Sequence, residues 1–134
     1  MSFVSITRLR VRSVRFLPGF AYYALRSTAQ ARKAAGDLYT QSLRERGMVV
    51  WTITIWSDPD AMRAFRNACP HRAVMPKLRH WCDEATYAHW QQDNEAPPTL
   101  SQAYEHLRFD GVVSKVDHPS PQHATREFAP PRPE

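Results

Sequence analysis

The chain has 134 residues, 18 Lys and Arg against 13 Asp and Glu, and a net charge of +5. That length carries one domain, alone or with a tail, and excludes two full cores; at 43% hydrophobic and 23% charged it is too apolar to be wholly disordered. No apolar run reaches the roughly 18–20 residues of a membrane span, the first residues lack the basic-then-apolar order of a secretory signal, and two cysteines make neither a disulfide framework nor a zinc site.

A cytoplasmic protein with reduced thiols is therefore expected, with Cys69 and Cys82 both read as buried. The positive charge is mostly arginine spread along the chain. Arg8, Arg10 and Arg12 lack the interleaved exposed aromatics of a single-strand binder, so they read as a solvated strand edge and no nucleic-acid partner is expected.

Residues 2–12 alternate. Phe3, Ser5, Thr7, Leu9 and Val11 share one face, and Val4, Ile6, Arg8, Arg10 and Arg12 the other, which predicts a strand. Pro18-Gly19 punctuates the chain. From Phe20 the apolar positions fall three and four apart, through Tyr23, Ala24, Ser27 and Ala31, which predicts an amphipathic helix stopped near Gly36. Residues 38–45 alternate weakly and give a second strand, followed by a tight turn at Gly47.

Met48 to Trp56 is the strongest strand. Val49, Trp51, Ile53 and Ile55 line one face and Val50, Thr52, Thr54 and Trp56 the other, with no charge on either, so both faces are expected to be buried. Ser57-Asp58-Pro59-Asp60 starts a helix that runs through Met62, Phe65 and Cys69 to Pro70. A short segment from His71 to Met75 is expected to be cut by Pro76. A fourth strand follows over about 81–90, with Cys82, Glu84, Thr86, Ala88 and Trp90 on one face.

Thr99-Leu100-Ser101-Gln102 has the form of a capping box before a short helix carrying Leu100, Ala103, Tyr104 and Leu107. Val112-Val113 can pair at a sheet edge. Seven of the eleven prolines lie in the last 38 residues. The domain is accordingly drawn over residues 1–117, including the short C-terminal helix, with residues 118–134 as a Pro-rich flexible tail.

The order β-α-β-β-α-β is the split βαβ, ferredoxin-like arrangement of an α+β protein. Two helices cover one face of a four-stranded sheet, while the central strand is apolar on both. Packing against a second copy, sheet on sheet, would bury the remaining face, so a homodimer closing into an α+β barrel is expected.

The run from Trp51 to Phe65 (WTITIWSDPDAMRAF), then Pro70-His71-Arg72-Ala73-Val74-Met75, then Trp81 and Glu84, resembles the dimeric α+β barrel superfamily, which includes the antibiotic-biosynthesis monooxygenase-like proteins. More finely, it resembles the spheroidene monooxygenase-like group. The resemblance covers about residues 3–118. It implies a monooxygenase-like oxidoreductase acting on a hydrophobic small molecule in the barrel cavity. It also implies haem, with His71 as the iron ligand. The alternative is a non-catalytic dimeric protein that binds a ligand or partner.

His71 is the first catalytic candidate, since imidazole serves as acid, base or ligand near neutral pH; a helix-capping role for it stays open. Glu84 is the second. A partly buried carboxylate there could carry a raised pKa suited to proton transfer, or could pair with Arg8 or Arg10 across the sheet. His80 and His89 are an odd number of residues apart, on opposite strand faces, so a three-histidine metal site is not expected. Trp51 and Trp90 read as core or interface aromatics. Trp56 and Trp81 flank the segment around His71 and, with Tyr22, Tyr23, Phe65 and Met75, form the expected ligand pocket.

Overall fold

A computed structural model of the chain describes residues 1–69 and 71–131. The alternating segments become strands β1 (Ser2–Val11), β2 (Asp37–Glu45), β3 (Val49–Trp56), β4 (Cys82–Gln92) and β5 (Val112–Val113). They form one antiparallel sheet in the order β2-β3-β1-β4-β5. The helices are α1 (Leu17–Lys33), α2 (Pro59–Arg66), α3 (His71–Trp81) and α4 (Leu100–Asp110). This is the expected α+β, ferredoxin-like fold, with β5 added at one edge.

Most boundaries follow local chemistry. Asp58 caps α2, its carboxylate accepting from the Ala61 amide at 2.8 Å, and Pro59 opens the helix where its missing N–H is not needed. Thr99 and Gln102 form the reciprocal capping box of α4. Gly36 turns the chain at φ +86°, and its carbonyl accepts from the Ser57 amide, tying the end of α1 to the start of α2.

Three boundaries differ from the sequence reading. Pro18 and Gly19 lie inside the first turn of α1, which tolerates proline. The absent Cβ at Gly19 lets the Trp81 indole lie against that turn, since a Cβ there would stand 3.2 Å from the ring. Pro76 does not cut the chain either. It falls in the second turn of α3, so the missing N–H forfeits one helical hydrogen bond while tertiary packing holds Val74 buried. Trp81 consequently ends a helix instead of opening a strand. Finally, α2 closes at Arg66, leaving Cys69 exposed; the stop assigned to Pro70 lies outside the described residues.

The two faces of the sheet are covered differently. Helices α1, α2 and α3 lie over the face that carries Ser5, Thr7, Thr52 and Thr54. The other face carries the main core: Val4, Ile6, Trp51 and Ile55 are fully buried and Ile53 nearly so. It is closed by Ala103 and Leu107 of α4 and by Phe128. Burial of each such side chain contributes about 1.5–3 kcal/mol. Both faces of β3 are covered within one chain, the helix-side face less completely, with Val50 and Thr52 half-buried along the cavity. The burial of β3 therefore does not call for a second copy.

The segment read as a flexible tail supplies part of that cover. Just before it the Ser114 amide donates to the Ala85 carbonyl and Asp117 to Arg79, and within it Ser120 donates to Asp83. Further on, the Tyr104 hydroxyl donates to the Phe128 carbonyl, and the Arg8 guanidinium lies 4.2 Å from the Phe128 ring centre.

Candidate functional site

A cavity of about 740 Å³ lies between the sheet and helices α1–α3. Its floor follows from register. Thr40 of β2, Thr54 of β3, Ser5 of β1 and His89 of β4 are cross-strand neighbours, as are Ser42, Thr52, Thr7 and Tyr87 one step along. All eight line the cavity. The floor is thus two rows of hydroxyls ending in aromatic groups. The roof is mostly apolar: Phe20, Tyr23, Met62, Phe65, Val74 and Leu78.

His71 opens α3 at one end of this cavity. Its backbone amide donates to Gln30 Oε1 at 2.9 Å, fixing the start of α3 to α1. Its ring lies 4.7 Å from that of Phe65, which in turn stacks on Trp56 at 5.2 Å. Nδ1 stands 3.3 Å from the Arg66 carbonyl. A carbonyl only accepts, so Nδ1 carries the proton and Nε2 keeps the lone pair. Burial, with the Arg66 charge as a smaller contribution, holds His71 below the usual imidazole range despite the opposing Arg66 carbonyl. His71 is therefore a neutral base at neutral pH. Burial, followed by the charges of Arg66 and Arg63, likewise lowers His89.

Of the other residues expected at the pocket, Tyr23, Phe65 and Met75 line it. Trp56 is fully buried behind Phe65, its indole N–H donating to Thr54 Oγ1 at 2.8 Å, so it supports the wall without forming it. Trp81 packs against Tyr23 at 6.1 Å and against Gly19, likewise behind the lining. Tyr22 is 54% exposed on the outer side of α1 and accepts from Arg26.

Glu84 is not brought together with His71. It lies on the opposite sheet face, 3% exposed, with Oε1 2.5 Å from Arg8 Nη1 and Oε2 accepting from Ser120 at 2.7 Å and Arg10 at 3.2 Å. Burial alone would raise its pKa. The hydrogen bonds from Arg8 and Ser120 and the charges of Arg8 and Arg10 outweigh burial and hold it below the usual carboxylate range. The raised pKa that proton transfer would need is absent, and the ion pair weighed from the sequence is the one formed.

The expected grouping of Glu84 with Cys82 also fails, through a bulge. Arg10 pairs with Glu84 and the next residue, Val11, with Cys82, so Asp83 is the extra residue. Cys82 thereby joins Val11, Phe20 and Ala85 on the helix side, where burial first and Asp83 second push its thiol up to about 12. It is inert as a nucleophile.

Sequence reasoning missed the hydroxyl floor. The alternation of Ser5 and Thr7 in β1 and of Thr52 and Thr54 in β3 was legible, and two strands presenting hydroxyls on one face was the available signal. Only the register aligns them. Among the described residues no group of three or more His, Cys, Asp or Glu is placed to hold a metal ion, and no helix is long and apolar enough to cross a membrane.

A family profile described as "Domain of unknown function (DUF3291)" matches residues 11–114. No curated protein matches the sequence. Several solved structures share the fold. SnoaB, a cofactor-independent oxygenase from Streptomyces nogalater, is 19% identical over 72% of this chain and 98% of its own, with a TM-score of 0.57. Rv0793 from Mycobacterium tuberculosis is 15% identical over 72% and 99%, at 0.60. A candidate antibiotic biosynthesis monooxygenase from Nitrosomonas europaea is 11% identical over 69% and 90%, at 0.58. At these identities the likeness is one of fold. It reaches an antibiotic biosynthesis monooxygenase-like fold, and not the finer spheroidene monooxygenase-like group.

Proposed function

The chain belongs to the DUF3291 family, and from its pocket we propose a monooxygenase-like oxidoreductase that acts on a hydrophobic small molecule held between the sheet and helices α1–α3. One observation carries the reading. A neutral imidazole with a defined lone-pair nitrogen, His71, lines a cavity with an apolar roof and a hydroxyl floor. Such a group removes a proton from an acidic O–H or C–H of a bound substrate, a contribution worth about 10²–10⁴-fold. The floor hydroxyls orient polar atoms of the substrate, and the roof supplies apolar contact.

Deprotonation makes the substrate electron-rich and so a better donor to O2. That is the activation an oxygenase requires when the substrate itself supplies the electrons, and SnoaB, which shares this fold, is a cofactor-independent oxygenase. Haem finds no such support. The lone-pair nitrogen of His71 could serve an iron, since a haem needs only one side-chain ligand, but the shared fold with the cofactor-independent SnoaB favours chemistry without it. Titration with hemin addresses this directly: a Soret band unaltered by His71→Ala removes His71 as a ligand.

A specific observation favours the alternative, a non-catalytic ligand-binding protein. Among the described residues no Asp or Glu lines the cavity, so none of them gives His71 a carboxylate partner there. Oxygen uptake separates the two readings. With hydroxynaphthalenes as trial substrates, an oxygenase consumes O2 and His71→Ala abolishes uptake while binding persists. Binding without uptake in the unaltered protein favours the alternative.

A further inference from the structure

The charges around the cavity are one-sided. Arg66, Arg72, Arg79 and Lys115 line it and, among the described residues, no carboxylate does. Arg79 is engaged by Asp117 at 3.4 Å, while Arg66 and Arg72 form no ion pair among the described residues. Both stand at the end that holds His71. Arg66 is half-buried, and its charge reaches His71 on α3 and His89 on β4 alike. The first turn of α3 begins at the same end and contains no acidic residue, so the amide dipoles there add to the positive field. Along α1 the cavity also meets Ser27, whose buried hydroxyl has no hydrogen-bond partner. A cation in a low-dielectric recess with no compensating carboxylate attracts an anion far more strongly than the same cation on an open surface.

We infer that the pocket takes an apolar carboxylic acid, its carboxylate at Arg66 between His71 and His89 and its apolar body along Phe65, Met62 and Tyr23. A guanidinium fork matches a planar carboxylate better than an ammonium would. The inference rests on the cavity being the ligand site and adds the substrate class.

The test uses two ligands of one shape and different charge, 2-naphthoate and 2-naphthamide, titrated into the full-length protein by calorimetry. The naphthoate is expected to bind at least about tenfold more tightly, the range of a charge-assisted pair, and to weaken with added salt. Arg66→Gln erases that difference and leaves the affinity for the amide unchanged, while Arg66→Lys retains most of it. Arg66 forms no ion pair among the described residues, so folding of the variants is expected and is checked by thermal melting. Equal affinities in the unaltered protein, or a preference that survives Arg66→Gln, overturn the anionic assignment and leave the pocket standing. If neither compound binds, the assignment and the pocket reading fall together.

Discussion

The Arg8 guanidinium and the Glu84 carboxylate meet 2.5 Å apart across β1 and β4, on the sheet face turned away from His71. Both side chains are nearly fully buried, at 6% and 4% exposure. The pair stands beside the main core, with Arg8 against Phe128 and Glu84 also held by Ser120. It therefore couples the sheet to the C-terminal segment. This buried ion pair is structural, and His71, the proposed base, sits on the other side of the sheet.

Replacing Glu84 with Gln leaves Arg8 charged and buried without its counter-ion. The expected loss is about 3 kcal/mol, read as a lower denaturant midpoint at unchanged slope. Ligand affinity in the His71 cavity should be unaffected once folding is secured. A variant with full stability would remove the structural role assigned to this pair.

Acid should act through the same group. Glu84 has a lowered pKa in the folded protein, so its unfolded form binds protons first as pH falls. Its contribution is present above the ordinary glutamate pKa and is lost progressively as pH drops through that value toward the lowered one. Stability measured from pH 6 down to about 3 should decline more steeply in the unaltered protein than in Glu84→Gln.

His71 sets the acid limb of any turnover. Because burial disfavours its protonated form, the base stays available below the ordinary imidazole value of 6.5. The midpoint of the acid limb in kcat/KM is expected below 6.5. An anionic substrate would raise the corresponding midpoint in kcat, since a bound negative charge favours imidazolium. A limb midpoint above 6.5 in kcat/KM would mean that another group is being titrated.

Phe128→Ala removes one wall of the core on the outer face. The expected cost is about 3–5 kcal/mol, visible as a lower melting temperature. Ending the chain after residue 117 goes further, because it uncovers part of the apolar face around Ile6 and Ile53. Such a chain should self-associate, and light scattering of both forms at micromolar concentration tests this. An increase in mass confined to the shortened chain is the expected result.

Gly36 adopts φ +86°, and a Cβ there would stand 2.6 Å from the Ala61 Cβ and 2.7 Å from Ser57 Oγ. Gly36→Ala should cost more than the roughly 1 kcal/mol of the backbone conformation alone, because the link between α1 and α2 must also shift. Thermal melting of that variant is the check.

Much of the fold was legible in local pattern. The alternation of residues 2–11, the doubly apolar run at 49–56, the Asp58-Pro59 start and the Thr99 box each act within a few residues of themselves, so each survives into the structure. The lining of the cavity was half legible. His71, Tyr23, Phe65 and Met75 line it, because helical spacing carries their orientation. Tyr22 faces outward one residue from Tyr23. Glu84 faces away by the plain alternation of β4, on the side opposite Tyr87 and His89, while the extra residue Asp83 moves only Cys82 to the helix side.

The sequence by itself determined which segments are strands and helices, the α+β order and the two-sided burial of β3, since these depend on periodicity and on caps. The tertiary structure alone decided what covers the second face. The sequence pointed to another copy; α4 and Phe128 of the same chain do it, because a Pro-rich segment with a few well-placed apolar and hydrogen-bonding groups can pack without any periodicity to announce it. The structure also decided the hydroxyl floor and the cationic end of the pocket. Both arise where residues far apart in the chain meet through sheet register and helix packing, which no local pattern encodes.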